Sequence, residues 1–307
     1  MNKLENNQTK YKSSLIKLGN HTILAIIALI VIGSATRVME AGLACPDWPL
    51  CYGTFLPLDH MNMRVFLEWF HRLDAFLVGL LILLQFSLSI VWRIYLPKGL
   101  IKVYAFLLFL VVFQGSLGAL TVINTLASYA VISHLLIAFS LLITATYINQ
   151  NLQNQDLINS KLWWRVLLSI PLLLTLIQSA IGVRLSSTWS AHLCLSVNQN
   201  CFILNSHKLF ALPVSIAIFA IFIVAVIDRN LFTNNWKFLI SILFLLSSQI
   251  ILGVLSLKTN LNQPLLIVSH QLVASLLIAN LSTLFFKKQD KNLSVNSLKE
   301  KVIFSYN

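Results

Sequence analysis

Charge is what this chain has least of. Asp, Glu, Lys and Arg together make up 10% of its 307 residues, well under half the share in an average soluble domain. Hydrophobic residues make up 57%, and the mean hydropathy is +0.80. A soluble globule of this length needs a charged shell around one or two domains. A disordered chain needs low hydrophobicity and high charge. Both are excluded. Acidic residues are scarcest, 10 against 22 Lys+Arg. No chain of carboxylates runs through the apolar stretches, as a proton pathway usually shows. No ten-residue alternation of apolar and polar residues occurs, so a membrane barrel is not expected. Only four cysteines are present, and none stands in Cys-x-x-Cys-His. Covalent c-type haem attachment is therefore not expected.

Long apolar runs are abundant. A bilayer core takes about 20 apolar residues in a helix, and eight stretches qualify: 21–38, 67–91, 102–123, 128–149, 163–185, 206–227, 237–257 and 265–286. Helices satisfy their own backbone groups in lipid. The expected fold is an all-α integral membrane protein.

The net charge of +12 reads as a topology signal rather than a nucleic-acid footprint. Lys3, Lys10, Lys12 and Lys17 precede the first stretch. Arg93, Lys98 and Lys102 follow the second, Lys161 and Arg165 the fourth, Arg229 and Lys237 the sixth. Lys287, Lys288, Lys291, Lys299 and Lys301 follow the eighth. All of these fall on one side of an eight-helix path. Both termini are expected in the cytoplasm, with the cysteines outside, in the inner or plasma membrane. Arg37, Arg64, Arg72, Arg184, Lys208 and Lys258 are left at the opposite face and need a reason.

Four histidines reveal an internal repeat. His71 and His207 are 136 residues apart, as are His134 and His270. Each stands near the outer end of an even-numbered stretch. Gln114-x-x-x-Gly118 recurs as Gln249-x-x-x-Gly253, and Gly33 matches Gly182. A cysteine pair follows each of those two glycines. These matches predict two parallel four-helix units, 21–149 and 163–286, related by a pseudo-two-fold axis along the membrane normal. Segments 1–20, 150–162 and 287–307 are expected as a cytoplasmic segment, a linker and a basic tail.

Ionisable side chains inside a membrane are functional by default. Two histidines at similar depth in helices of the same direction can face each other across a bundle. That arrangement suits bis-histidine haem ligation. Zinc would want further ligands, and the sequence shows none at this depth. His71 with His134, and His207 with His270, are the expected ligand pairs. Haem propionates would give Arg37, Arg72, Arg184 and Lys208 a use; snorkelling to head groups is the plainer one.

The halves differ at one point. Glu68 lies one turn before His71, on the same face, and its counterpart is Leu204. A haem that only carries electrons needs no general base, whereas one undergoing chemistry does. The plainer role for Glu68 is an i, i+4 salt bridge to Arg72. Asp74 likewise matches Phe210. The cysteines lie in loops where disulfides are permitted. Of three possible connectivities, the local pairs Cys45–Cys51 and Cys194–Cys201 are simplest.

Glu68-Trp69-Phe70-His71-Arg72, the loop Cys45-Pro46-Asp47-Trp48-Pro49-Leu50-Cys51 and the single histidines of helices 4, 6 and 8 together resemble the haem A synthase family. The resemblance runs from about Leu18 to Phe286, and the cysteine pairs look like those of its bacterial branch. It implies oxidation of the C8 methyl of haem O to a formyl group, giving haem A for terminal oxidases, with water as oxygen source. It further implies haem O between His71 and His134, Glu68 near the reacting methyl, and a haem b on His207 and His270. A haem O synthase would supply the substrate and a membrane acceptor would take the electrons. A homo-oligomer is left open. The rival reading is a diheme b-type cytochrome for electron transfer, which leaves the one-sided Glu68 without a purpose.

Overall fold

The structure, a computed structural model, describes residues 2–153, 160–185 and 201–288. Among them eight long helices follow one another: α1 (Asn2–Val38), α2 (Met63–Val91), α3 (Leu100–Ile123), α4 (Ser128–Gln153), α5 (Leu162–Leu185), α6 (Phe202–Ile227), α7 (Arg229–Lys258) and α8 (Pro264–Phe286). All eight are long and apolar enough to cross a membrane. The only strand-like feature among the described residues is one bridge between Cys51 and Thr54.

Every helix contains its expected span, and several begin earlier or end later. Hydropathy marks the part a bilayer would cover, but backbone hydrogen bonding continues through flanking polar turns. The start of α7 lies well before position 237 because Asp228 caps it, accepting the amides of Asn230 and Leu231. Asn62 caps α2 in the same way through Arg64 and Val65. The polar start of α1 stays helical and packs: Leu15 is fully buried, and Tyr11 stacks on Trp92 at 4.7 Å.

Helices α1 to α4 close a ring, since α1 packs on α2, α2 on α3, α3 on α4 and α4 on α1. Helices α5 to α8 close a second ring by the same sequence of neighbours. Between the rings α1 meets α8, α5 meets α4, and α4 meets α8. Exchanging the two halves leaves this pattern unchanged. The turns agree as well. After α3, Thr125 and Leu126 take positive φ of 46° and 59°; after α7, Asn260 and Leu261 take 51° and 58°. In each turn the second residue's amide reaches back to a hydroxyl residue of the helix, Leu126 to the Thr121 carbonyl at 2.8 Å and Leu261 to the Ser256 carbonyl at 2.9 Å.

One apolar core runs through both rings, with Phe139, Leu142, Leu168, Ile218, Leu239 and Ile278 among its most buried members. The outward faces carry large apolar side chains such as Phe109, Leu209 and Phe244. Those faces suit acyl chains, because nothing polar there demands water.

Candidate functional site

Each even-numbered helix carries one histidine near its N-terminal end, and each imidazole rests on a glycine of the preceding helix. A Cβ on Gly33 would meet His71 Cε1 at 2.9 Å, and one on Gly182 would meet His207 Cε1 at 2.9 Å. The same construction gives 3.4 Å from Gly118 to His134 and 3.3 Å from Gly253 to His270. At Gly33 and Gly182 any side chain would displace the ring. These glycines let helix and imidazole approach closely.

The histidines come together as the sequence pairs them. The His207 and His270 ring centroids are 6.5 Å apart. Two metal–nitrogen bonds of about 2 Å each, typical of imidazole on a first-row metal, would with the ring radii put the centroids roughly 6 Å apart. His71 lies within electrostatic reach of His134. Among the described residues the Nδ1 atoms of all four rings are buried with no hydrogen-bond partner. Buried polar atoms without partners are uncommon and call for an explanation. Two facing imidazoles on small-residue seats in an apolar bundle fit a porphyrin iron between them.

Glutamines serve these histidines. Gln114 Nε2 donates to the His134 carbonyl at 2.9 Å, and Gln178 Nε2 to the His207 carbonyl at 2.9 Å. Gln249 Nε2 stands 3.0 Å from His270 Nε2. The sequence reading matched two of these glutamines through their spacing to glycine. It left Gln178 out, although Gln178-x-x-x-Gly182 has the same spacing.

Around His71 the surroundings change character. Glu68 is 4% exposed. Its Oε1 pairs with Arg72 at 2.5 Å, and its Oε2 accepts the Cys45 amide at 2.8 Å. The i, i+4 salt bridge weighed from the sequence therefore forms. Arg72 also donates to the carbonyls of Asp47 and Leu50, both at 2.6 Å. Cys45 and Cys51 are bonded, with Cα atoms 4.8 Å apart. Trp69 Nε1 donates to the Phe55 carbonyl at 2.8 Å. Within the loop Asp47 accepts the Tyr52 and Gly53 amides at 2.6 and 2.8 Å. Those bonds, the one from Gly53 above all, hold the Asp47 carboxyl below the usual carboxylate range. The loop is thus fastened to the first turns of α2 at Glu68, Trp69 and Arg72, next to His71.

The remaining cations are less gathered. Arg37 ends α1 with its Nε buried and unpartnered, and its Nη2 lies 3.5 Å from Ser34 Oγ. Arg184, in the last turn of α5, and Lys208, beside His207, are exposed. Arg64 pairs with Glu40 at 3.5 Å on the surface. Asp74 keeps a buried, unpartnered Oδ2. Cys201 is the N-cap residue of α6; Cys194, its expected partner, lies outside the described residues, and so does that pair.

Fold and site together define a class: an all-α, multi-pass membrane protein with two pairs of facing histidines, one pair under a disulfide-closed loop. A family model described as cytochrome oxidase assembly protein, COX15-CtaA, matches residues 18–282. The chain belongs to that family. A "Heme A synthase" from Shewanella oneidensis is 35% identical over 139 residues, 39% of this chain and 40% of that protein. Another from Shouchella clausii is 35% identical over 107 residues, 34% of this chain and 35% of that protein. A third, from Ehrlichia ruminantium, is 23% identical over 330 residues, 91% of this chain and 94% of its own. The chain thus spans well under half the length of the first two relatives.

Proposed function

We propose that this protein is a haem A synthase, oxidising the C8 methyl of haem O to a formyl group with water as the oxygen source. The observation that carries the reading is Glu68. It is a buried carboxylate one turn from His71, and the second half has Leu204 there. Its relatives' names and its family membership favour the same reading over a diheme cytochrome.

In this reading His71 and His134 flank the substrate porphyrin, and His207 and His270 hold a haem b. A haem b supplies one-electron transfer when bound. The chain's own residues do the rest. Forming a formyl group from a methyl and water releases protons as well as electrons, and Glu68 is the carboxylate placed to accept protons. Arg72 and the Cys45 amide fix both of its oxygens, so its direction is set before substrate arrives. The loop from Cys45 to Phe55 covers the outer turns of α2 and limits water there. Arg37, Arg184 and Lys208 stand at the end of the bundle where propionates would lie.

The wider arrangement follows. The matched rings and turns support two four-helix repeats, 21–149 and 163–286, about an axis along the membrane normal. The basic segments would lie in the cytoplasm with both termini, and the cysteine loops would face outward from the plasma membrane. A haem O synthase would deliver the substrate, and a membrane acceptor would take the electrons.

The test is expression of the full chain with haem O supplied, then pigment extraction and mass analysis. Haem A should appear with the wild type. With Glu68→Gln it should fall by about two orders of magnitude or more, the scale of general-base catalysis. A chain that binds haem yet never yields haem A would be a diheme cytochrome instead.

A further inference from the structure

The four histidine seats follow one pattern with one exception. At three of them a glutamine stands four residues before the glycine: Gln114 before Gly118, Gln178 before Gly182 and Gln249 before Gly253. Residues four apart share a helix face. The glycine therefore seats the imidazole while the carboxamide, one turn away, bonds the helix or ring that carries it. At the fourth seat the glycine is present as Gly33, but Leu29 occupies the glutamine's place. Among the described residues the buried His71 Nδ1 has no hydrogen-bond partner, as at the other three rings, and no carboxamide stands beside it to serve the helix or ring. Asp74, one turn further along α2, keeps its own Oδ2 unpartnered.

The unused atoms point the same way. Gln114, Gln178 and Gln249 each have a buried Oε1 without a partner, at histidines whose Nδ1 is likewise unpartnered. An imidazole that binds a metal through one nitrogen carries a proton on the other, and an acceptor for that proton fixes the ring. In the second pair the Gln178 and Gln249 carboxamides stand 3.5 and 3.0 Å from the Nε2 atoms of His207 and His270. In the first pair Gln114 bonds the His134 carbonyl, and Leu29 offers His71 no polar group.

We propose that Gln178 and Gln249 are positioning residues that hold His207 and His270 on a permanently bound porphyrin, and that Leu29 leaves His71 unheld so that the first site can exchange its porphyrin. This rests on the haem reading above and adds to it. A resident cofactor must stay, whereas a substrate must arrive and a product must leave. One difference in α1, a branched alkyl side chain at Leu29 in place of a carboxamide, sets that distinction.

The experiment is haem transfer from purified, detergent-solubilised full-length protein to excess apomyoglobin, followed by absorbance. Wild type should lose haem in a fast and a slow phase. His71→Ala should remove the fast phase and His207→Ala the slow one. Gln178→Leu should quicken the slow phase about tenfold or more, the usual cost of losing a ligand's outer partner, and leave the fast phase and the melting midpoint of the haem-free protein in place. Gln249→Leu gives a second measure of the same effect. Leu29→Gln should slow the fast phase by a similar factor. A purely structural role would quicken both phases together and lower the melting midpoint, and that result would overturn the proposal, as would an unchanged slow phase in both glutamine variants. A wild-type chain that holds no haem overturns instead the reading on which the proposal stands.

Discussion

At the first histidine pair, Glu68 and Arg72 tie a disulfide-closed loop onto α2; at the corresponding places of the second half stand Leu204 and Lys208. The second pair has two carboxamides, from Gln178 and Gln249, where the first has one, from Gln114. The rings, the glycine seats and the turns after α3 and α7 are alike. What differs is the side chains added to a common frame. The first pair has a carboxylate and a covering loop beside it, and the second has a carboxamide at each histidine. One backbone frame can therefore carry two different sites, because helix spacing sets the frame and a few side chains set the chemistry.

The comparison can be broken most severely at the ligands. His207→Ala should abolish a tightly bound low-spin b-type spectrum while substrate-site binding persists; an intact spectrum would remove the second pair from consideration. Next in size is Arg72→Lys. The guanidinium bonds Glu68 and two loop carbonyls together, which an ammonium on a flexible stem cannot reproduce. Haem A formation should fall about tenfold, and a buried acceptor left unpaired should cost about 1–3 kcal/mol of thermal stability. Lys208→Arg should change neither quantity. Smaller again is the double change Cys45→Ser with Cys51→Ser. Losing so short a cross-link should cost about 2 kcal/mol in the chain-entropy model, read as a lower melting midpoint and faster cleavage of the loop by protease.

The smallest expected effect is acid-dependent. Asp47 has its carboxyl held below the usual range, chiefly by the Gly53 amide. A depressed folded-state value gives stability that is present above the unfolded value, about 3.9 for Asp, and is lost as pH falls through the folded one. Trp48 lies in this loop and Trp69 is bonded to it, so their fluorescence should change on acidification below about pH 4. Asp47→Asn should remove that change, and the second half should show no counterpart.

Much of the fold was legible because its signals are local or periodic. Eight apolar stretches became eight helices, and only their ends moved, where Asp228 and Asn62 extend α7 and α2 through polar turns. The His71/His207 and His134/His270 spacing pointed to the facing pairs, and the short separation of Cys45 and Cys51 pointed to their bond. Gln178 was legible too, since its spacing to Gly182 repeats that of Gln114 and Gln249, but polar residues in an apolar helix read as scattered until their neighbours are known. Arg72 was read beside a propionate or Glu68; its bonds to the Asp47 and Leu50 carbonyls had no sequence signal, because any residue supplies a carbonyl.

Composition, hydropathy and the spacing of histidines by themselves determined the all-α membrane architecture and which histidines pair. Lipid leaves the backbone little choice, and helical periodicity fixes which side chains share a face. Only the tertiary structure decided what each of those side chains touches. That Glu68 holds the Cys45 amide, that four glycines seat four imidazoles and that Leu29 stands where a glutamine would serve His71 depend on how separate helices lean together. Such contacts join residues distant along the chain, and no local pattern encodes the distance between them.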